Sequence, residues 1–154
     1  MSRYCQAIAI VEGTTEQKFV EQVLGPYLAQ KGVYISATQV SKKGQKGGDV
    51  KFDRVKQDIV NHLKARCDSI VTMMLDYYGI VAWPGLDCIK PNFTPSQIEN
   101  VLVRATIEEI KKLVPKINVE KRFYPFFMVH EFETLLFSDV AILSKRLWCR
   151  QNED

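Results

Sequence analysis

The sequence predicts an α/β layered fold with about four strands in a mainly parallel sheet and helices on both faces. Short apolar runs typical of buried parallel strands alternate along the chain with longer segments whose apolar residues recur at helical spacing. The resulting order is β-α-β-α-β-α-β-α, the pattern of a parallel sheet connected by helical crossovers. The 154 residues suffice for one domain with a sizeable core, so we expect a single domain over residues 1–154.

The strands are predicted from their apolar patterns and from the residues that end them. The first and third are continuous apolar runs, and the second alternates between apolar and polar residues. Pro125 in the fourth favours a position at the edge of the sheet, because proline cannot donate to a neighbouring strand. The four strands are expected at residues 6–11, 33–40, 69–76 and 122–129.

Residues typical of helix ends mark where the predicted helices begin and end. Thr14 or Thr15 can cap the first helix. The second is amphipathic over residues 52–66. Thr94 is followed by proline, the favoured order at a helix start, which predicts a third helix over residues 95–114. A fourth is expected after the last strand.

Composition indicates a soluble, cytoplasmic protein. Four cysteines are scattered without a CxxC pair, which favours a reducing compartment and disfavours a thiolate zinc site. The N-terminus lacks a signal-peptide pattern and no apolar stretch could span a bilayer, so we expect no membrane partner. The net charge of +3 permits an anionic partner without requiring one. The tail KRLWCRQNED lacks a clear helix stop, which leaves open that a longer protein continues beyond it.

Acidic residues follow the predicted strands where ligands gather in such folds, at the carboxyl ends. Glu12 ends the first strand, Asp76 ends the third, and Glu131 and Glu133 follow the fourth. Glu16 lies one helical turn after Glu12, so the two can share a face. Because converging like charges repel, the cluster favours a divalent cation, Mg²⁺ or Mn²⁺, among these oxygen ligands.

Each of these acids also has a structural interpretation. Glu16 in a first helical turn is favoured by the helix dipole alone. Glu133 could be an ordinary exposed acid, and Asp76 could cap the turn that follows it. Glu12 and Asp76 favour function more strongly, because an acid at the end of a buried run is costly unless it is paired or bound.

The segments IVEGTTEQKFV, VTMMLDYYG and FMVHEFETLLF together resemble a Toprim-like family of uncharacterised proteins encoded beside AAA-type ATPases. The resemblance implies a Toprim-like, that is Rossmann-like, fold in which Glu12 and Asp76 bind Mg²⁺. The spacing of Glu12 and Glu16 is similar to that of OLD-family nucleases, where both acids serve a metal site. On that resemblance Glu131 or Glu133 would complete a second metal position, and an ATPase partner and a role in phage defence are expected.

The sequence departs from the Toprim pattern at one position. The second acid of the Asp-x-Asp signature falls on Tyr78, and tyrosine is a poor Mg²⁺ ligand. Three interpretations follow: Glu131 or Glu133 compensates, the site holds one metal, or the site binds phosphate without cutting.

Two loops could contact nucleic acid. The glycine-rich loop SKKGQKGGDVK carries Lys42, Lys43 and Lys46, which suit a phosphate backbone, although a solvated surface loop is an equal interpretation. The loop DYYGIVAWPG could stack its aromatic rings on a base or simply cover the edge of the sheet.

The expected function is a Mg²⁺-dependent nuclease that hydrolyses phosphodiesters of DNA or RNA. Glu12 and Asp76 are the predicted catalytic residues, and Glu12 could act as a metal ligand or as a general acid or base. His130 could assist proton transfer, but a hydrogen-bonded strand end is the more common role for a lone histidine. The alternatives are a non-catalytic nucleic-acid or nucleotide-binding module with a degenerate metal site, and a module that docks on an ATPase. The sequence does not indicate an oligomeric state.

Overall fold

The fold is built on a four-stranded parallel sheet, as the sequence predicts. The computed structural model describes residues 4–40 and 50–130. The strands of this sheet are β1 (Cys5–Val11), β2 (Val33–Gln39), β4 (Ser69–Asp76) and β6 (Phe123–Met128). They lie in the order β2-β1-β4-β6, and all neighbouring strands are parallel.

Helices cover both faces of the sheet. On one face of the sheet, β1 and β2 pack on the first helical segment. On the other face, β1, β4 and β6 pack on two longer helices. The helices are α1 (Thr14–Phe19), α2 (Gly25–Ala29), α3 (Phe52–Ala65), α4 (Pro95–Leu113) and the short α5 (Val119–Arg122). The architecture is a Rossmann-like layered fold.

The main core lies between the sheet and the α3–α4 layer. Alternate residues of the central strands point into it, since successive strand side chains face opposite sides. Fully buried members from the two layers include Ile10, Met73, Leu75, Phe127, Ile59, Leu63, Leu102 and Ile110. A smaller cluster of Ala9, Val11 and Val20 fills the opposite face beneath α1.

An aromatic cluster ties the loop after β4 to this core. The Trp83 ring meets Phe52 and Phe127 edge to face, at centroid distances of 5.2 Å and 5.7 Å. Its indole N–H donates to the Thr106 hydroxyl at 2.9 Å, and this hydroxyl donates to the Leu102 carbonyl at 2.6 Å. Trp83 is therefore a core residue and is not available to stack on a base.

The first predicted helix is confirmed but is not continuously α-helical. A π-helical segment, Val20–Leu24, separates α1 from α2. Pro26 follows this segment and has no N–H to donate to the carbonyl of Gln22. A π-helical turn is one way in which a helix accommodates a missing donor, and periodicity in the sequence does not reveal it.

The structure also has a two-stranded parallel sheet that the sequence does not predict. This sheet pairs β3 (Val50–Lys51) with β5 (Ile80–Val81). Strands of two residues are too short for an alternating pattern to be recognised.

Pro125 lies in an edge strand, as predicted. Among the described strands, β6 pairs with β4 alone. No helix in the described ranges is long and apolar enough to cross a membrane.

Candidate metal and nucleic-acid site

Glu12 lies directly after β1 and its carboxylate packs on the backbone of another loop. The preceding residue, Val11, is fully buried and accepts a hydrogen bond from the Val40 N–H at 2.9 Å, which fixes this end of the strand. A Cβ placed on Gly79 would lie 3.0 Å from Oε2 and 3.5 Å from Oε1 of Glu12. The half-buried Glu12 carboxylate therefore rests on the turn that contains Gly79.

Asp76 begins that same turn. It is the last residue of β4, and the 3₁₀ turn Tyr77–Gly79 follows it immediately. Its Oδ1 atom is buried. Because β1 and β4 are neighbours, with Val11 opposite Met74, the two acids predicted to be catalytic flank one turn at the carboxyl edge of the sheet.

Glu16 caps the helix in which it lies. Its Oε2 atom accepts a hydrogen bond from the Gly13 N–H at 3.1 Å. The helix begins at Thr14 and its N-cap residue is Gly13, so the prediction that Thr14 or Thr15 caps it is wrong. Gly13 has no side chain to accept a hydrogen bond, and the Glu16 carboxylate supplies the cap from the first turn instead. Its role as a metal ligand stays a prediction.

A glutamine from the neighbouring strand holds the start of α1 over the sheet. The Gln39 side-chain amide donates to Thr14 Oγ1 at 3.2 Å and to Gln17 Oε1 at 2.9 Å. These contacts join the end of β2 to α1. They stabilise the position of α1 at the same edge as Glu12.

The aromatic residues after Asp76 have different environments. Tyr77 is half-buried and packs against the main core, whereas Tyr78 is 70% exposed. The two rings meet edge to face with centroids 5.2 Å apart. Tyr78, the residue at the second acidic position of the Toprim pattern, therefore presents its ring to solvent beside the two acids.

The glycine-rich basic loop leaves and re-enters the described fold at this edge. Val40, before the loop, bonds to Val11, and Val50, after it, pairs with Ile80 next to Gly79. Both valines are buried. The predicted phosphate-binding residues Lys42, Lys43 and Lys46 lie outside the described residues.

The remaining predicted ligands follow β6. Glu131 and Glu133 also lie outside the described residues. His130 is the last described residue, and it is exposed at a bend after β6. A role of His130 in proton transfer stays a prediction.

The donor set suits a hard cation with few protein ligands. Within residues 4–40 and 50–130, no three or more His, Cys, Asp or Glu side chains are grouped so as to hold a metal ion. Mg²⁺ is often bound by one or two carboxylates together with water and substrate phosphates. Glu12 and Asp76 supply the ligand type that this mode uses, since both are carboxylates and both lie beside the turn Tyr77–Gly79.

Acids at the opposite side of the sheet, where the amino ends of the strands lie, form ordinary surface ion pairs. Asp68 precedes β4, and its hydrogen bond from Arg66 holds the pKa of the carboxyl below its usual value. Glu120 in α5 accepts a hydrogen bond from Lys111 at 3.0 Å. Lys111 donates hydrogen bonds to Glu108 and to Glu120, and both raise the pKa of the Lys111 ammonium group, the one to Glu108 more. Asp68 and Glu120 are therefore suitable controls for changes at Asp76 and Glu12.

Comparison with known proteins identifies a family and no characterised relative. Residues 11–153 match a family described as "Domain of unknown function (DUF4276)". No curated protein and no solved structure matches the chain. The family description does not link the chain to Toprim domains or to ATPases.

Proposed function

The chain belongs to the DUF4276 family, and we propose that it is a Mg²⁺-dependent nuclease with a Toprim-like metal site. The reaction is hydrolysis of phosphodiester bonds in DNA or RNA. One observation carries the proposal: Glu12 and Asp76 flank the same turn at the carboxyl ends of two adjacent central strands.

The environment of the two acids supports a binding role. The Asp76 Oδ1 atom is buried, and the Glu12 carboxylate is held against the backbone at Gly79. Carboxylate oxygens are the ligands that Mg²⁺ and Mn²⁺ prefer, and both acids lie at the carboxyl ends of adjacent strands.

In the proposed reaction, the cation and the protein side chains would have separate roles. Glu12 and Asp76 would hold the cation, with Glu16, Glu131 and Glu133 as the further ligands that we propose. The cation would supply polarisation of the scissile phosphate and stabilisation of the charge on the leaving oxygen. In the alternative role that we propose for it, Glu12 exchanges a proton with an attacking water, which its half-buried rather than enclosed position supports.

Two features near the acids support a nucleic-acid substrate. Residues 41–49 connect Val40 and Val50, and both valines border the edge that carries Glu12. We propose that Lys42, Lys43 and Lys46 in this connection contact the phosphate backbone. The exposed Tyr78 ring offers a stacking surface for an unpaired base.

The proposal extends to two expectations that only the Toprim resemblance supplies. These are an AAA-type ATPase partner and a role in phage defence. Both are separable from the nuclease chemistry, because the acids and their turn belong to this chain alone.

A cleavage assay tests the proposal. Supercoiled plasmid, single-stranded DNA and single-stranded RNA are incubated with the protein and Mg²⁺ or Mn²⁺, with EDTA as the blank. Glu12→Gln and Asp76→Asn are compared with wild type. Glu120→Gln and Asp68→Asn are the matched controls, since each repeats the same chemical change at the opposite edge.

We expect metal-dependent cutting that Glu12→Gln and Asp76→Asn each reduce by at least about 100-fold, the scale on which removing an electrostatic contact to the reacting group acts. The two controls should cut as wild type does. Metal-dependent binding of nucleic acid without any cutting would instead favour the non-catalytic module, and equal loss in the controls would contradict the assignment of the site.

A further inference from the structure

Strand β2 lies at one edge of the main sheet and lacks the features that usually keep an edge strand from pairing. Among the strands in residues 4–40 and 50–130, it pairs with β1 alone. Its seven residues, VYISATQ, include no charged side chain and no proline. Soluble proteins commonly protect their edge strands with charges, prolines or short length. The other edge strand, β6, contains Pro125, so the two edges differ in their capacity to pair with a further strand.

Hydrogen bonds at the two ends of β2 show which of its backbone groups face outward. The Cys5 N–H donates to the Gly32 carbonyl, and the Val40 N–H donates to the Val11 carbonyl, both at 2.9 Å. The residues just before and just after β2 therefore turn these groups toward β1. The N–H and C=O of one strand residue point to the same side, and successive residues alternate between the two sides. The backbone groups that face away from β1 consequently belong to Val33, Ile35, Ala37 and Gln39.

We propose that β2 pairs antiparallel with β2 of a second copy of this chain, across a two-fold axis at Ser36. In this register Ile35 of one copy lies opposite Ala37 of the other, and Val33 lies opposite Gln39. Each of these pairs exchanges two hydrogen bonds, as does its symmetric counterpart. The outward N–H and C=O groups of both strands are thereby all used, in about eight hydrogen bonds. The strand edge is thus complementary to itself, which a two-fold dimer requires.

The side chains of β2 suit this register. Tyr34 and Ser36 are exposed, and together with Thr38 they lie on one face of the strand. The small Ser36 meets its own copy at the axis, and Tyr34 lies opposite Thr38, a favourable pairing of an aromatic with a β-branched residue. The exposed Tyr4 ring meets the Tyr34 ring edge to face, with centroids 6.1 Å apart. Tyrosine is enriched at protein–protein interfaces, so these rings favour a covered edge.

The dimer leaves the candidate metal sites complete and separate. Glu12 and Asp76 follow β1 and end β4, so each copy supplies both acids itself. Antiparallel pairing of the two β2 strands directs the carboxyl ends of the strands of the two copies in opposite directions. The proposed dimer does not depend on the proposed nuclease activity.

Sedimentation velocity of the full chain over a range of protein concentrations tests the proposal. Ser36→Lys brings two ammonium groups together at the axis and should weaken the dimer at least about tenfold, because like charges in contact at an interface are strongly unfavourable. Ser36→Glu should weaken it similarly. An equimolar mixture of the two variants should form a heterodimer, since opposite charges then meet. Tyr124→Lys is the matched control, because it adds the same charge at an exposed position of the other edge strand.

Hydrogen exchange of single amides, followed by NMR, tests the register and guards against loss of folding. In the dimer the outward amides of Ile35 and Ala37 are bonded to the other copy. We expect Ser36→Lys to speed their exchange at least about tenfold, since exchange follows the population of the open form. The amides of Tyr34 and Thr38 face β1 and should keep their wild-type rates. Adjacent residues of one strand thus serve as probe and control.

Three results would overturn the proposal. One is a wild-type protein that sediments as a monomer at every concentration up to its solubility limit. Another is a dimer that Ser36→Lys and Ser36→Glu both leave intact, because the interface would then lie elsewhere. The third is slow exchange of the Ile35 and Ala37 amides in monomeric Ser36→Lys, because another part of the same chain would then pair with β2.

Discussion

The contact between Glu12 and Gly79 defines the candidate site at the scale of single residues. A Cβ at position 79 would lie 3.0 Å from Oε2, so an added side chain requires the Glu12 carboxylate to shift. Glycine at this position leaves room for the neighbouring acid. The contact joins the end of β1 to the turn after β4.

Gly79→Ala should weaken divalent-cation binding by roughly ten- to 100-fold, the range for residues that orient metal ligands. The added methyl group would displace Glu12 without removing either carboxylate. Calorimetric titration with Mn²⁺ measures the affinity, and circular dichroism verifies the fold.

Tyr78→Ala is the control for this change, because it removes an exposed ring from the same turn and adds no atom to it. Equal weakening by both variants would attribute the effect to the turn as a whole and not to the Glu12–Gly79 contact.

The sequence identifies Glu12 and Asp76 as acids that end two buried strands, because an acid after a buried run is a local signal. That the two strands are neighbours comes from the structure. It does not reveal how each acid is held. The contact with Gly79 joins positions 67 residues apart in the chain, and the cap that Glu16 provides depends on where the helix begins.

At the scale of elements, long patterns predict structure well and short ones do not. All four strands of the main sheet follow from their apolar runs, and Thr94 caps α4 as expected, accepting from the Gln97 N–H at 3.3 Å. The pair β3–β5 and the π-helical segment were not predicted. The two-residue strands β3 and β5 are too short to show an alternating pattern, and helical periodicity does not reveal the π-helical segment beside Pro26.

Arg122 connects three elements at the amino edge of the sheet. Its guanidinium group donates to the carbonyls of Leu63, at 3.0 Å, of Ser69, at 3.1 Å, and of Arg66. The end of α3, the start of β4 and the end of α5 are thereby held together. A cation is favourable here because these carbonyls include those at the C-terminal end of a helix.

Arg122→Met should lower the free energy of unfolding by about 2 kcal/mol, since hydrogen bonds to charged groups contribute about 1.5–3 kcal/mol and some carbonyls will regain water. Urea denaturation measures the change. Arg104→Met, at an exposed position of α4, should change it by less than about 0.5 kcal/mol. A loss no greater than that of the control would show that the guanidinium contacts do not stabilise the fold.

At the scale of the whole molecule, the amino and carboxyl ends of the parallel strands carry different groups of residues. The amino edge carries paired surface charges and the Arg122 contacts, which serve stability. The carboxyl edge collects Glu12, Asp76 and both ends of the basic loop. This separation follows from parallel topology, which brings all strand ends of one kind to one edge.

Binding of Mn²⁺, which substitutes for Mg²⁺ at oxygen ligands, tests the central claim most directly. Electron paramagnetic resonance measures free Mn²⁺ in titrations of wild type, Glu12→Gln, Asp76→Asn and the control Asp68→Asn. We predict that wild type and Asp68→Asn bind the ion equally and that the other two variants bind at least about tenfold more weakly. Equal binding by all four proteins, or no binding by wild type, would contradict a cation site formed by Glu12 and Asp76.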